Sequence, residues 1–280
     1  MKRLANIQNR FWILLKRTIY KQKLIIKNNG KVNKRHHRIN GRENVLIKCS
    51  KKCRWFAQEC NPLTEQEVLS ETGRFEQLNH HFVSLQKKYN GKFHELNATA
   101  EKNAHRFEYA KGGELMHRGF YSPSSEDVFV GNVSRGRLLN SMPKKGYGYE
   151  YAFDSCGKLI ACKKFSNVSA LSQDIDNIEF LIYENEGVLS LIYNTIDKRI
   201  DVISECYYVD GRLQKYQLAI MLDDTCAEIK EEESIYTNDL ISEIYLKRYM
   251  PMSGDFYEEK YSFSYNDQKE ISSYTVMVKQ

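Results

Sequence analysis

The chain has 280 residues, 41% hydrophobic and 28% charged, proportions ordinary for a soluble globular protein large enough to bury a real core. Its net charge of +6 hides a split: residues 1–150 carry 29 Lys and Arg against 13 Asp and Glu, whereas residues 151–280 carry 13 against 23. A sign change of that size points to two regions with different partners, or to two regions that face each other.

The first region is basic. Residues 1–42 hold 13 Lys and Arg and no Asp or Glu. Leu4, Ile7, Phe11, Leu14, Leu15, Thr18, Ile19, Ile25 and Ile26 fall near a 3.6-residue period, interrupted once by polar Gln22, which predicts an amphipathic helix over about 4–26, ended by Asn28, Asn29 and Gly30. The longest apolar run, Phe11 to Leu15, is too short for a signal-peptide core or a membrane span. With no secretory signal and seven cysteines, an odd number, reduced thiols and a cytoplasmic location are expected. Lys34, Arg35, Arg38, Arg42, Lys51, Lys52 and Arg54, beside Trp55 and Phe56, mix cations with aromatics and are candidates for non-specific nucleic-acid contact. The bland alternative is a solvated basic surface. Residues 1–62 are read as a basic N-terminal arm.

Cys49, Cys53 and Cys60, with His36 and His37 upstream, form the sharpest metal candidate, since three thiolates and an imidazole suit structural zinc. The usual pair separated by two residues is missing, so incidental thiols are the plainer reading and no metal is assigned.

Thr64 and Glu67 fit a capping box. From there Val68, Thr72, Phe75, Leu78, Phe82, Leu85 and Tyr89 recur at steps of three and four, and the pattern resumes after Asn90 and Gly91 with Phe93, Leu96, Ala100, Ala104 and Phe107. Residues 63–111 therefore read as one helix or a helical hairpin, with the turn at Gly91 favoured because a mid-helix glycine costs about 1 kcal/mol. His80 and His81 are adjacent on this helix, about 100° apart, and so unsuited to a shared metal. Residues 112–148, rich in turn-formers, are expected to be a connecting segment with one strand at Val128–Val130.

Residues 149–280 change texture. Aromatic, β-branched segments alternate with polar turns at Gly157, Gly187 and Gly211, the chemistry of short hairpins. The fold class expected is α+β: an N-terminal helical region, then a large antiparallel β-meander of eight to ten strands. Tyr151, Phe153, Asp154, Gly157 and Leu159 resemble the core of YD-type repeats of Rhs and related toxin shells, and Tyr183, Gly187 and Leu189, then Tyr208, Asp210, Gly211 and Leu213, keep parts of it. The resemblance covers less than a third of the chain. It implies strand-turn-strand units of the sort also found in small toxin-associated β-proteins, immunity proteins among them.

All seven histidines lie at or before His117, and no nucleophile elbow, P-loop or dinucleotide fingerprint is present. Glu228 and Lys230, near Asp223 and Asp224, have the acid-x-Lys spacing of metal-dependent nucleases, at a frequency chance supplies. A better use of that segment is electrostatic. Asp223, Asp224, Glu228, Glu231, Glu232 and Glu233 read either as a solvated surface guarding a sheet edge or as a docking face for a basic partner such as a toxin. The sequence thus suggests a non-enzymatic protein-binding protein without cofactor. Its alternatives are a nucleic-acid-associated protein acting through the basic arm, or a nuclease.

Overall fold

The computed structural model describes residues 65–115, 124–129, 136–143, 146–168, 173–184 and 187–279. The basic arm, the Thr64 cap and the zinc candidate Cys49, Cys53 and Cys60 lie outside them. Helices α1 (Glu65–Tyr89) and α2 (Phe93–Asn103) form the hairpin that the spacing predicts. Gly91 sits at φ +82°, a conformation that favours a residue without Cβ. Phe75, Phe82, Tyr89, Phe93 and Ala100 are the buried stripe, as the three-and-four spacing requires.

The expected helix tail at Phe107 is instead strand. Ala104 is already extended (φ −69°, ψ 121°), and β1 (Arg106–Lys111) pairs antiparallel with β2 (Arg137–Leu139) and β3 (Gly146–Phe153). Phe107 matched the helical period by coincidence and is 46% exposed. Residues 112–148 are likewise more than a connection. They supply β2, the start of β3 and a single helical turn, α3 (Ser125–Phe129), where a strand was expected at Val128.

Nine further strands complete the sheet: β4 (Leu159–Val168), β5 (Gln173–Glu184), β6 (Gly187–Asn194), β7 (Ile200–Val209), β8 (Arg212–Met221), β9 (Cys226–Thr237), β10 (Leu240–Met250), β11 (Asp255–Tyr265) and β12 (Ile271–Lys279). The order is β12 through β3 in sequence, then β1 and β2, every neighbouring pair antiparallel. Twelve strands thus stand among the described residues: ten, β3 to β12, make the meander and fall within the eight to ten expected of it, and β1 and β2 extend the sheet beyond it. The described residues belong to one compact unit, Ser50–Gln280.

Local chemistry explains the meander. Asp210 (φ 52°) and Gly211 (φ 74°) form a two-residue loop between paired Val209 and Arg212, the left-handed geometry that suits the twist of a hairpin. Asn238 (φ 50°) and Asp239 (φ 68°) do the same between Thr237 and Leu240. Gly187 does not; it is the first residue of β6, paired with Glu184. The abundant tyrosines have a repeated task. Tyr183, Tyr236 and Tyr265, each near the end of a strand, donate a hydroxyl hydrogen bond to the carbonyl of Leu159, Leu213 and Ile241, near the start of the strand before (2.8, 2.9 and 2.6 Å). One hydroxyl thereby ties each strand pair where its carbonyls run out.

The sheet buries both faces. Leu189, Leu191 and Tyr193 of β6 join Phe180, Ile203, Ile229 and the helical stripe in one cluster. Phe93 packs edge-on against Phe180 and Tyr193, with centroids 6.0 and 5.6 Å away, and Tyr193 Oη donates to the Tyr89 carbonyl at 2.7 Å, satisfying the end of α1. Val188, one residue along, faces the opposite side with Tyr149, Tyr151, Phe153, Cys206 and Tyr216. A third cluster, Ile241, Ile244, Leu246, Tyr261 and Phe263, lies toward the β12 edge. Among the described residues no helix is long and apolar enough to cross a membrane.

Candidate functional site

β9 carries the run Lys230, Glu231, Glu232, Glu233, and a strand turns successive side chains to opposite faces. Because β8 and β10 flank it, β9 is an interior strand, not the guarded edge that its charge suggested. Glu231 and Glu232 are 3% and 1% exposed. Neither can offer its carboxylate to an outside partner, which corrects their assignment to a docking face. A buried carboxylate needs a cation or hydrogen bonds to remain charged, and each finds them in a different layer.

On the helix face, Glu231 accepts from Arg74 of α1 (2.6 Å), and Lys215 Nζ lies 3.1 Å away. Gln217 Nε2 donates to the same carboxylate. Burial alone would push the Glu231 carboxyl up; Arg74, Gln217 and Lys215 outweigh it and hold the group below the usual carboxylate range. Beside it Glu71 bridges Arg74 and Lys247 of β10, both at 2.9 Å. Farther along α1, Asn79 Oδ1 accepts from the Cys226 amide (3.0 Å) and Gln86 Nε2 donates to the Leu222 carbonyl (2.9 Å), so the helix also holds the β8–β9 loop.

On the opposite face, Glu232 accepts from the Ser124 hydroxyl and from the Glu126 amide (3.0 Å) at the start of α3. Lys230 Nζ lies 2.7 Å from Glu232, 2.9 Å from Glu126 and 3.6 Å from Asp127. Burial disfavours its charge, but these three carboxylates more than offset that and raise its pKa. Arg248 closes the group, contacting Glu228 (3.1 Å) and Glu126 (3.3 Å). Glu228 and Lys230, which shared nuclease-like spacing, are thus engaged with Arg248 and with α3.

The chemistry of these groups is that of clamps. A lysine used as a nucleophile needs a lowered pKa, and Lys230 is shifted the other way. Burial likewise raises the thiols of Cys162, Cys206 and Cys226, the last to about 12. Among the described residues no group of three or more His, Cys, Asp or Glu side chains is placed to hold a metal ion. His80 and His81 are exposed, with His81 Nε2 2.9 Å from Glu205.

The remaining acidic candidates are at the surface. Glu233 is exposed near the far end of β9, while Asp223 and Asp224 occupy the β8–β9 loop. In an antiparallel meander alternate loops share one end of the sheet, about 10 Å apart. Asp174 and Asp176 at the start of β5, Asp197 in the β6–β7 loop and Asp255 at the start of β11 therefore emerge with Asp223 and Asp224, and all six are exposed. Arg199 bridges Asp197 and Asp223, linking two of these loops directly. Lys198 donates to the Thr195 carbonyl (2.5 Å) and lies over the Phe93 ring (4.3 Å). Sequence reasoning missed this grouping, because aspartates occur at the turns of both ends, with Asp210, Asp239 and Asp267 exposed at the other, and only the strand order sorts them.

Lys34, Arg35, Arg38, Arg42, Lys51, Lys52 and Arg54 lie outside the described residues. No family model matches the chain, no curated protein matches it, and no solved structure matches it.

Proposed function

We propose that the protein is a non-enzymatic binding protein that receives a basic protein partner on the acidic loop end of its sheet, as an immunity or antitoxin-like protein would receive a cationic toxin. One observation carries this reading: Asp174, Asp176, Asp197, Asp223, Asp224 and Asp255 are exposed at one end, and the cations within its loops, Lys198 and Arg199, are already engaged, while Lys88 and Lys92 of the adjoining helical turn lie over the Tyr89 ring. Such a surface raises the association rate with a positive partner and disfavours negative ones. It replaces the β9 face anticipated from sequence, keeping Asp223 and Asp224 and releasing Glu228, Glu231 and Glu232 to internal pairing.

The test is affinity capture from the native host at low salt, beside a variant with Asp174, Asp176, Asp223 and Asp224 all changed to Asn. The expected result is a basic protein retained by the wild type, released by added salt, and not retained by the variant. Equal retention by both proteins, or capture of no basic protein, overturns the reading.

A further inference from the structure

The two edges of the sheet are built differently. β2 is three residues long, begins with Arg137 and is followed closely by Pro143. Short, charged edges discourage further pairing. β12 has nine residues, no proline, and a single charged residue at its very end, Lys279. Strands β4, β5 and β7 to β11 each carry at least two charged residues, whereas β6, Gly187–Asn194, carries none and is paired on both sides. In its lack of charge before Lys279, β12 resembles β6, a strand paired on both sides. Among the described residues, however, it pairs with β11 alone.

The third apolar cluster reaches this strand. Tyr274 and Val276 pack against the third apolar cluster, with the Tyr274 ring 6.4 Å from Tyr261 and 6.1 Å from Phe263. Val278, farther along the same strand, is 41% exposed. A strand without charge before its last residue, whose outer N–H and C=O groups meet no other strand among the described residues and whose side chains extend an apolar cluster, is a template for another strand.

We propose that the missing strand is β12 of a second copy of this chain, added antiparallel about a two-fold axis through Thr275. This register centres on the regular stretch Ser273–Met277, beyond the irregularity at Ser272 in the pairing with β11. On the face of the third cluster it sets Tyr274 against Val276 twice, joining the clusters of the two copies. On the other face Thr275 meets Thr275, and Ser273 meets Met277. Aromatic against β-branched and Thr against Thr are favourable cross-strand pairs, and no like charges meet. The self-complementary choice also closes the assembly. Two β12 edges consume each other and leave only the two guarded β2 edges, whereas β12 adding to β2 would repeat without end.

Sedimentation velocity on the full chain tests this. The wild type is expected to be a dimer, dissociating on dilution. Thr275→Lys and Thr275→Glu each place like charges opposite one another across the axis, and each alone is expected to lose the dimer. An equimolar mixture of the two is expected to regain it as a heterodimer, an outcome that misfolding of either variant could not produce. In the wild type, amide exchange across 271–279 is expected to slow as protein concentration rises. A wild type that stays monomeric, variants that stay dimeric, a mixture that stays monomeric, or exchange in β12 that ignores concentration each overturns the proposal.

Discussion

Arg74 on α1 and Glu231 on β9 stand 157 residues apart in the chain and 2.6 Å apart in space. The contact joins the helical hairpin to the middle of the sheet through a carboxylate that is almost wholly buried. It turns an apparent surface charge into a fastening.

Arg74→Met should therefore destabilise the fold. Losing one partner of a fully buried pair costs about 3–5 kcal/mol. Arg74 is 35% exposed at its side chain, and Lys215 and Gln217 remain with Glu231, so a smaller loss of about 2 kcal/mol is expected. Equilibrium urea unfolding would measure it. A change within experimental error would mean that Lys215 and Gln217 together satisfy the carboxylate.

Lys230→Met should cost more, about 3 kcal/mol or above, because it leaves Glu232 and Glu126 together without their shared ammonium. Adding Glu232→Met should return much of that loss, as removing both charges from a buried pair is often close to neutral. A double variant no more stable than Lys230→Met would show that the hydrogen bonds of Glu232 to Ser124 and to the Glu126 amide matter more than the pair.

Stability should fall at acid pH for a nameable reason. Burial raises the Glu231 and Glu71 carboxyls, but Arg74 and its companions, with Lys247 for Glu71, bring both below their ordinary value. The stability they lend is complete above the unfolded value of about 4.3 and is lost as pH falls through the depressed folded values. Glu114 behaves oppositely. Burial is the largest influence and raises its carboxyl despite Lys164 and Tyr149, so its contribution is present at low pH and lost as pH rises through the raised folded value. Thermal melts against pH should show Glu231→Gln flattening the acid limb and Glu114→Gln flattening the limb above it. Unchanged limbs would remove these residues as the cause.

Thiol labelling should divide the described cysteines. Cys156 is exposed in the β3–β4 turn, while Cys162, Cys206 and Cys226 are buried and their thiolates are disfavoured. Brief alkylation of native protein, mapped by peptide mass spectrometry, should modify Cys156 and spare the other three until denaturant is added. Early modification of Cys206 would contradict the packing of the face that holds Tyr216.

Much of the fold was legible in the chain. Phe75, Phe82, Tyr89 and Phe93 announced the helical hairpin through their spacing, and Asp210 with Gly211 announced a tight turn, because both signals are local and set by backbone geometry. The pair Asn238 and Asp239 carried the same turn chemistry. β1 was not legible: Phe107 continued a helical period by accident, and pairing with β3 decided its conformation. The site was less legible still. Glu231 and Glu232 read as surface because carboxylates usually are, and nothing local told that α1 would bring Arg74 to the first, or that the Ser124 hydroxyl and the Glu126 amide would join Lys230 in holding the second.

The sequence by itself determined an antiparallel, tyrosine-rich meander preceded by helices, with positive charge early and negative charge late. Only the tertiary structure decided which carboxylates are spent within the protein and which emerge together at a loop end. Periodicity is a property of neighbours along the chain, whereas burial and charge pairing depend on segments that approach from more than a hundred residues away.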